Sequence, residues 1–387
     1  MPVGGIYLKL LVGHKFAPLP APDLANLLTQ VEVTHSYSGR SGFQLTFQAS
    51  RNERVFNPID FPILLKRRLQ PFTRVVLIVT FNLIPRVLMD GIITDQQLTP
   101  EGRDHASLTV TGEDIGVLMD MDEEVVAHHA LPEPGIVAKI LANYAPFGVV
   151  PKVTPPPVLD VPIPTERVPV QHGTDLEYME TMAARYGYTF FIRPGPLPLM
   201  NQAYWGPPVS FGLPQKALTI NMGQADNISS INFRYDALAP ERVRGRVQDR
   251  RLNQGIPYAT VATLRPPLEL RPALYAQRGD VRKRWNSDVA GLDAAIATAR
   301  AQGMTDASVD NVVIAEGELD SVKYERILEV GRTVGVRGVG YSYDGFYYVR
   351  QVSHEIDLDD KEAAKSYQQK FTLHRGGLGS LSPVVVP

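Results

Sequence analysis

The chain contains no cysteine, which excludes disulfide bridges, thiolate metal sites and a cysteine nucleophile. It has no apolar run long enough to cross a bilayer. The most hydrophobic stretch, "RVVLIVTFNLIPRVLM", is broken by Asn82, Pro85 and Arg86, well short of the ~20 apolar residues a spanning helix needs. No charged and then apolar leader opens the chain, and "MPVGGIYLKLLVG" reads as a strand. A soluble protein made in the cytoplasm is expected. Net charge is only −2, so no overall basic field drives nucleic-acid binding, although a local patch is compatible with it. There is no G-x-S-x-G elbow, no Walker A sequence and no G-x-G-x-x-G after a strand, and "GVRGVG" at 335 has the wrong spacing.

What is abundant points to short elements. Pro 32 and Gly 31 in 387 residues exceed the usual ~5% and ~7%, which favours many turns. Hydrophobic residues at 44% and charged residues at 21% place the chain among folded globular proteins. Its length accommodates two or three domains of ~150 residues.

Residues 1–115 read as strands. "QVEVTHSY" and "GFQLTFQAS" alternate around the turn "SGRSG", with Phe43, Leu45 and Phe47 on one face. "RVVLIVTF", "RVLMDGIITDQQL" and "HASLTVTGED" follow, with "TPEG" as a turn, so a first antiparallel barrel or sandwich is expected. Residues 116–216 form a connecting region. Ile136, Val137, Ile140, Leu141 and Tyr144 make the stripe of a helix between Pro134 and Pro146. The proline-dense segment 151–169 reads as an extended connector. Thr174 with Glu177 makes a capping box, Leu176, Met179, Met182, Ala183 and Tyr186 share a helix face, and Gly187 supplies a left-handed C-terminal turn. Residues 217–250 and 311–378 read as a second set of strands, with "YDG" at 343–345 as a tight turn. Between them, 251–310 is an insertion with one helix, capped by Ser287 or Asp288 and ended by Gly303. Residues 379–387 are a tail. The fold class is β-rich α+β, two β-blocks flanking a small mixed α/β region.

No catalytic residues, cofactor or metal ligands emerge. His128 and His129 are adjacent, so on a helix they diverge by about 100°. "HEID" at 354 lacks the second histidine of a zinc-protease helix and lies in a strand pattern. His172 reads as a boundary residue. The run Asp120 to Glu124 reads as a solvated face; as an enzyme alternative, Asp120 and Glu124 would flank a glycosidic bond. Arg40, Arg51, Arg54, Lys66, Arg67 and Arg68 make the first block basic without interleaved aromatics. Trp205 in "AYWGPP" is the candidate for a β-rich glycan- or receptor-binding alternative.

Two stretches resemble a known family. "VPVQHGTDLEYMETMAARYGYTFFIR", through Gln171, Asp175, Glu177, Tyr186, Gly187 and Tyr188, resembles a segment of phage tail hub proteins. "GRTVGVRGVGYSYDGFYYVRQVSHEID", through Gly345, Tyr347, Tyr348, Val349 and His354, resembles their closing hairpin. "LMDGIITDQQLTPEGRDHASLTVTGEDIGVLMD" followed by "GIVAKILANYA" is similar to their first barrel and its exit. The family is the baseplate hub, or late control protein D, of contractile tails, including the hub part of type VI secretion VgrG spike proteins. The resemblance implies a non-enzymatic homotrimer in which each subunit gives two tail-tube-like antiparallel β-barrels, so that a threefold spike meets a sixfold tube. It implies as partners the tail tube protein, a separate spike protein and other baseplate proteins, with DNA or an effector passing through the lumen and no membrane insertion. It implies a place in the baseplate of a virion or injection particle assembled in the bacterial cytoplasm. Spike-fused relatives continue into further domains, whereas this sequence stops at "SLSPVVVP", so the spike and any hydrolase are expected on other chains.

Overall fold

Alternation of apolar and polar side chains makes 28–36, 42–50 and 105–114 strands buried on one face, whereas the apolar run 74–81 is a strand buried on both. The computed structural model describes residues 6–50, 61–65, 67–81, 84–101, 105–208, 213–249, 253–277, 279–287, 289, 291–358 and 364–381. Lys66 and the 51–60 arginines lie outside them. The first half comprises β1 (Tyr7–His14), β2 (Ala17–Pro20), one-turn helix α1 (Pro22–Ala25), β3 (Leu28–Ser36), β4 (Gly42–Ser50), one-turn helix α2 (Pro62–Leu65), β5 (Arg74–Phe81), β6 (Ile84–Pro100) and β7 (His105–Asp114). The strands run in the order β3-β4-β7-β6-β5-β1-β2, every neighbour antiparallel. Strand β6 serves two neighbours: 84–92 pairs with β5 and 91–100 with β7. Val31, Val33, Leu45, Phe47 and Val110 are buried in one core under this sheet.

The connecting region holds β8 (Glu123–Ala127), α3 (Glu133–Ala142), β9 (Val149–Val153), β10 (Val170–Thr174), α4 (Asp175–Ala184), β11 (Thr189–Pro194) and β12 (Asn201–Gly206). Strands β8 and β10 form a two-stranded ribbon, and β11-β12-β9 a second small sheet. Ile136, Val137, Ile140 and Leu141 of α3 meet Leu176, Met179 and Met182 of α4 over Trp205. Each large buried side chain contributes on the order of 1.5–3 kcal/mol.

The remainder contains β13 (Gln215–Thr219), β14 (Ile228–Tyr235), β15 (Glu241–Asp249), β16 (Gln254–Ala259), β17 (Glu269–Pro272), α5 (Ala273–Ala276), β18 (Arg282–Asn286), α6 (Ala294–Val309), β19 (Val313–Asp320), α7 (Ser321–Tyr324), β20 (Thr333–Arg337), β21 (Gly345–Leu358), β22 (Ala364–Arg375) and β23 (Gly377–Ser380). Strands β14-β19-β22-β21 are antiparallel neighbours, and β20 joins β21 with β13 beyond it.

Two strand sets form, but they do not stay separate. β21 is 14 residues long; its residues 345–348 pair with β20 and 351–357 with β3. Both halves therefore belong to one 13-stranded sheet, and no pairing among the described residues closes a ring. A long strand with ladder groups left over finds them a partner, because buried unpaired amides are costly. Strand β15, expected in the second block, pairs instead with β16 and β18, whose sheet packs on α6. Gly303 does not end that helix. It lies inside α6, whose N-cap is Asp293, and Asp288 lies outside the described residues.

Across β19, β22, β21, β3, β4 and β7 the other face of the sheet is polar. Cross-strand rows run Glu318, Lys370, Ser353, Thr34 and Gln368, Glu355, Glu32, Gln44, Thr111. A third row runs Gln30, Thr46, Thr109, Gln97. The first two rows cross from one half to the other without an apolar side chain.

Candidate functional site

The residues singled out by sequence fall in three places: the start of α4, its C-terminal turn against α6, and strand β21. At the start of α4, Thr174 accepts from the Glu177 amide (3.2 Å), and Glu177 Oε2 accepts from the Thr174 amide (3.4 Å). The Thr174 hydroxyl donates to Asp120 Oδ1 (2.7 Å). Asp120 in turn pairs with Arg40, which also holds Glu113 at 2.9 Å. Burial pushes the Asp120 carboxyl up, but the Thr174 hydroxyl and Arg40 outweigh it and hold it below the usual carboxylate range. Buried Gln171 donates to Asp175 Oδ1 (2.7 Å), and its Oε1 meets His128 Nε2 at 3.2 Å. Asp175 also accepts from the Tyr144 hydroxyl (2.8 Å). The expected solvated face at 120–124 is thus half right: Asp122, Glu123 and Glu124 are exposed, while Asp120 is a clamp.

At the other end of α4, Gly187 adopts φ +61°, the left-handed turn that glycine tolerates. Its position also brings two backbones together. A Cβ at 187 would lie 2.1 Å from the Gly303 carbonyl oxygen, and one at 303 would lie 2.2 Å from the Tyr186 carbonyl carbon. Tyr186 is buried with the Arg300 guanidinium over its ring at 5.8 Å. Arg300 and Arg185 both reach Glu133, at 3.2 and 2.6 Å. Tyr188 meets Trp205 edge-on at 5.2 Å.

On β21, Gly345 has φ +133° and a Cβ there would meet Arg375 Nη1 at 2.6 Å. Buried Arg375 donates to the carbonyls of Ser342, Asp344 and Gly377 and lies 4.3 Å above the Tyr347 ring. The Tyr347 hydroxyl donates to the Tyr343 carbonyl (2.6 Å); Tyr348 and Val349 are buried. His354 points inward between Val352, in the second core, and Ile356, in the first. Its Nδ1 meets the Tyr367 hydroxyl at 3.0 Å, and among the described residues its Nε2 has no partner. His35 approaches its ring at 5.7 Å and donates from Nε2 to the Leu88 carbonyl at 2.7 Å. Desolvation, and for His354 the neighbouring His35, lowers both: His35 to about 4 and His354 well below the usual imidazole range.

Two joints escape the sequence. Tyr37, between β3 and β4, bonds His374 of β22, whose Nδ1 donates to the Asp310 carbonyl at 2.6 Å. Thr189 donates to the Tyr37 carbonyl. Together they border a cleft of about 430 Å³ where the two sheet halves, α4 and the end of α6 converge. Asp310 pairs with Arg265 at 2.9 Å; burial raises its carboxyl to about 6 despite that cation. The second joint is a buried two-pronged pair, Arg74 to Asp90 at 2.6 and 2.7 Å, completed by Asn201 on Asp90 and by the Lys15 and Phe147 carbonyls on Arg74. The only signal in the sequence is a charge embedded in each of two apolar strands, "RVVLIVTF" and "RVLMDGII".

The enzyme and glycan alternatives lose their anchors. A glycosidic acid needs a raised pKa, but Asp120 is held low by its partners while Glu124 sits on an exposed strand. Trp205 is fully buried and donates to the Met179 carbonyl (3.1 Å), so it offers no platform. His172 is exposed on β10, and no group of three histidine, aspartate or glutamate side chains among the described residues could hold a metal. No helix among them is long and apolar enough to cross a membrane.

No family model and no curated protein sequence matches the chain. Its structure is similar to solved ones. The 43 kDa tail protein of prophage MuSo2 from Shewanella oneidensis superposes with a TM-score of 0.63 at 14% identity, over 96% of this chain and 99% of that one. The tail protein of Neisseria meningitidis MC58 gives 0.63 at 12%, over 97% and 98%. The E. coli c3393 protein, a component of the type VI secretion system, gives 0.57 at 13%, over 93% and 77%. Along nearly its whole length, the chain has the fold of these tail and secretion-system proteins.

Proposed function

We propose that the chain is a structural baseplate hub of a contractile phage tail or a tail-derived injection system. Three copies form a ring that adapts a sixfold tail tube to a threefold spike. The observation that carries this reading is the end-to-end likeness to two tail proteins, with 96–97% of this chain and 98–99% of theirs aligned. The polar rows that cross between the two halves support it as well, since such a surface suits the wall of an aqueous passage for DNA or an effector. The chain Thr174–Asp120–Arg40–Glu113 and the cluster Arg74–Asp90–Asn201 tie the connecting region to the sheet, so the ring transmits force by shape. Its partners are the tube protein, the spike and other baseplate proteins, and its place is the baseplate of the particle.

A trimeric hub requires large obligate interfaces, of order 2,000–5,000 Å². Mass photometry of the purified chain is expected to give a trimer, and negative-stain images an annulus. Monomer alone across all concentrations overturns the ring.

A further inference from the structure

The sheet of β15, β16 and β18 has one face on α6 and the other in solvent. Val243, Val247 and Tyr258 pack against Ile296, Ala297 and Ala301. Strand alternation therefore turns Arg244 and Arg246 outward, where both are exposed. The register places Trp285 beside Arg244 and Lys283 beside Arg242. On the other flank stand uncharged Ala259 and Pro257. Trp285 is 59% exposed, with the Arg244 guanidinium 5.8 Å from its ring centre. Arg282 and Arg284 continue the same edge strand and share one carboxylate, Glu241, at 3.3 and 3.5 Å. Among the described residues no ion pair engages Arg244, Arg246 or Lys283. The basic residues noticed in the first block differ: Arg40 is taken up by Glu113 and Asp120, and Arg68 by Asp23.

We propose that this face binds nucleic acid, with Arg244, Arg246 and Lys283 on backbone phosphates and a base stacked on Trp285. The charge by itself calls for a polyanion, since unpaired cations gathered on one sheet repel one another until counterions or phosphates neutralise them. The exposed indole selects among polyanions. Every base has a π-face to stack on it, and arginine beside an aromatic ring is a recurring platform for single strands. An acidic protein surface would answer the charge and leave the indole in water. The inference is independent of the hub reading: it concerns the outer face of one small sheet, and a failure to trimerise would leave it standing.

The full-length chain lends itself to a two-channel test. Of its two tryptophans, Trp205 is fully buried, so quenching by a stacked base reports on Trp285. Titration with a fluorescein-labelled oligo-dT of about 20 nucleotides at low salt is expected to show binding together with tryptophan quenching. Arg244→Ala/Arg246→Ala/Lys283→Ala should weaken binding at least tenfold and reduce the salt slope by about 2, at roughly 0.7 for each phosphate of a single strand that is no longer neutralised. Trp285→Phe should abolish the quenching, and Trp285→Ala should weaken binding severalfold. All four side chains are exposed, and an unchanged melting temperature checks that the variants fold. Absence of binding at low salt overturns the proposal, as does equal affinity of the triple variant. Binding of poly-glutamate as tight as that of the oligonucleotide, without quenching by either, overturns it in favour of an acidic protein partner.

Discussion

A methyl group at position 187 would stand 2.1 Å from the Gly303 carbonyl oxygen, on a residue already at φ +61°. Both effects oppose any other side chain, and the left-handed conformation alone costs ~1–2 kcal/mol. Gly187→Ala is therefore expected to destabilise the protein by at least about 2 kcal/mol in urea unfolding. Its counterpart gives a sharper test of sign. In an open helix Gly→Ala gains ~1 kcal/mol, but at 303 the new atom would meet Tyr186 backbone at 2.2 Å. Gly303→Ala should lower the melting temperature; a rise would show that the two backbones do not touch. The buried Arg74–Asp90 pair makes a further prediction. Arg74→Met strands a buried carboxylate and should cost ~3–5 kcal/mol, whereas Arg74→Met/Asp90→Leu should recover much of that loss. A double variant as unstable as the single one would show that Asn201 and the carbonyls, not the charges, carry the joint.

Buried imidazoles set the response to acid. The folded value of His35, about 4, lies below its ordinary 6.5, and that of His374 falls to about 3 through desolvation and Arg350. The unfolded chain takes up these protons first, so stability is full above pH 6.5 and is lost as pH falls toward 4 and below. Asp114 and Asp310 work the other way. Burial raises them to about 7 and about 6, so their contribution is full below the ordinary carboxylate range and is lost as pH rises through those values. His35→Gln, which keeps a donor for the Leu88 carbonyl, should flatten the acid loss between pH 6.5 and 4 by up to ~1.4 kcal/mol per pH unit. Urea midpoints across that range measure it, and an unchanged slope would mean His35 is hydrated in the fold.

At the scale of elements, the α4 unit is legible from its residues alone. A capping box, an apolar stripe and a glycine stop are all local, and each appears where the spacing puts it. The alternating strands β3 and β4 are equally legible, with Phe43, Leu45 and Phe47 on the buried face. Where the local pattern misleads, the cause is a long-range approach. Glycine usually ends a helix, which is why Gly303 resembles a stop. It is tolerated mid-helix here because Tyr186 and Gly187, more than a hundred residues earlier, need the space. Strand β15 looks like its neighbours in sequence, and only its partners β16 and β18 assign it to another sheet. Tyr37, His374 and Asp310 carry no shared pattern at all, being 64 and more residues apart.

For the whole molecule, β21 decides how the parts melt. Val349 and Val352 lie in the second core and Ile356 in the first, with the ladder continuous from β20 to β3. One half cannot unfold without exposing the strand that the other half shares. Differential scanning calorimetry should therefore show the two sheet halves melting in a single transition. Two well-separated transitions, each removing strands of one half only, would refute the coupling.

By itself the sequence determined the β-rich class, the capped helix with its glycine turn, the inward-facing strand residues and the lack of any recognisable catalytic motif. These are consequences of period, capping and composition, and they act over a few residues. The tertiary structure alone decided that two strand sets become one sheet, that Asp120 and Arg74 serve as clamps, and that Trp205 is hidden while Trp285 is displayed. Such outcomes depend on which distant strand satisfies a free ladder edge and which distant charge or surface meets a given side chain, and no local pattern encodes those choices.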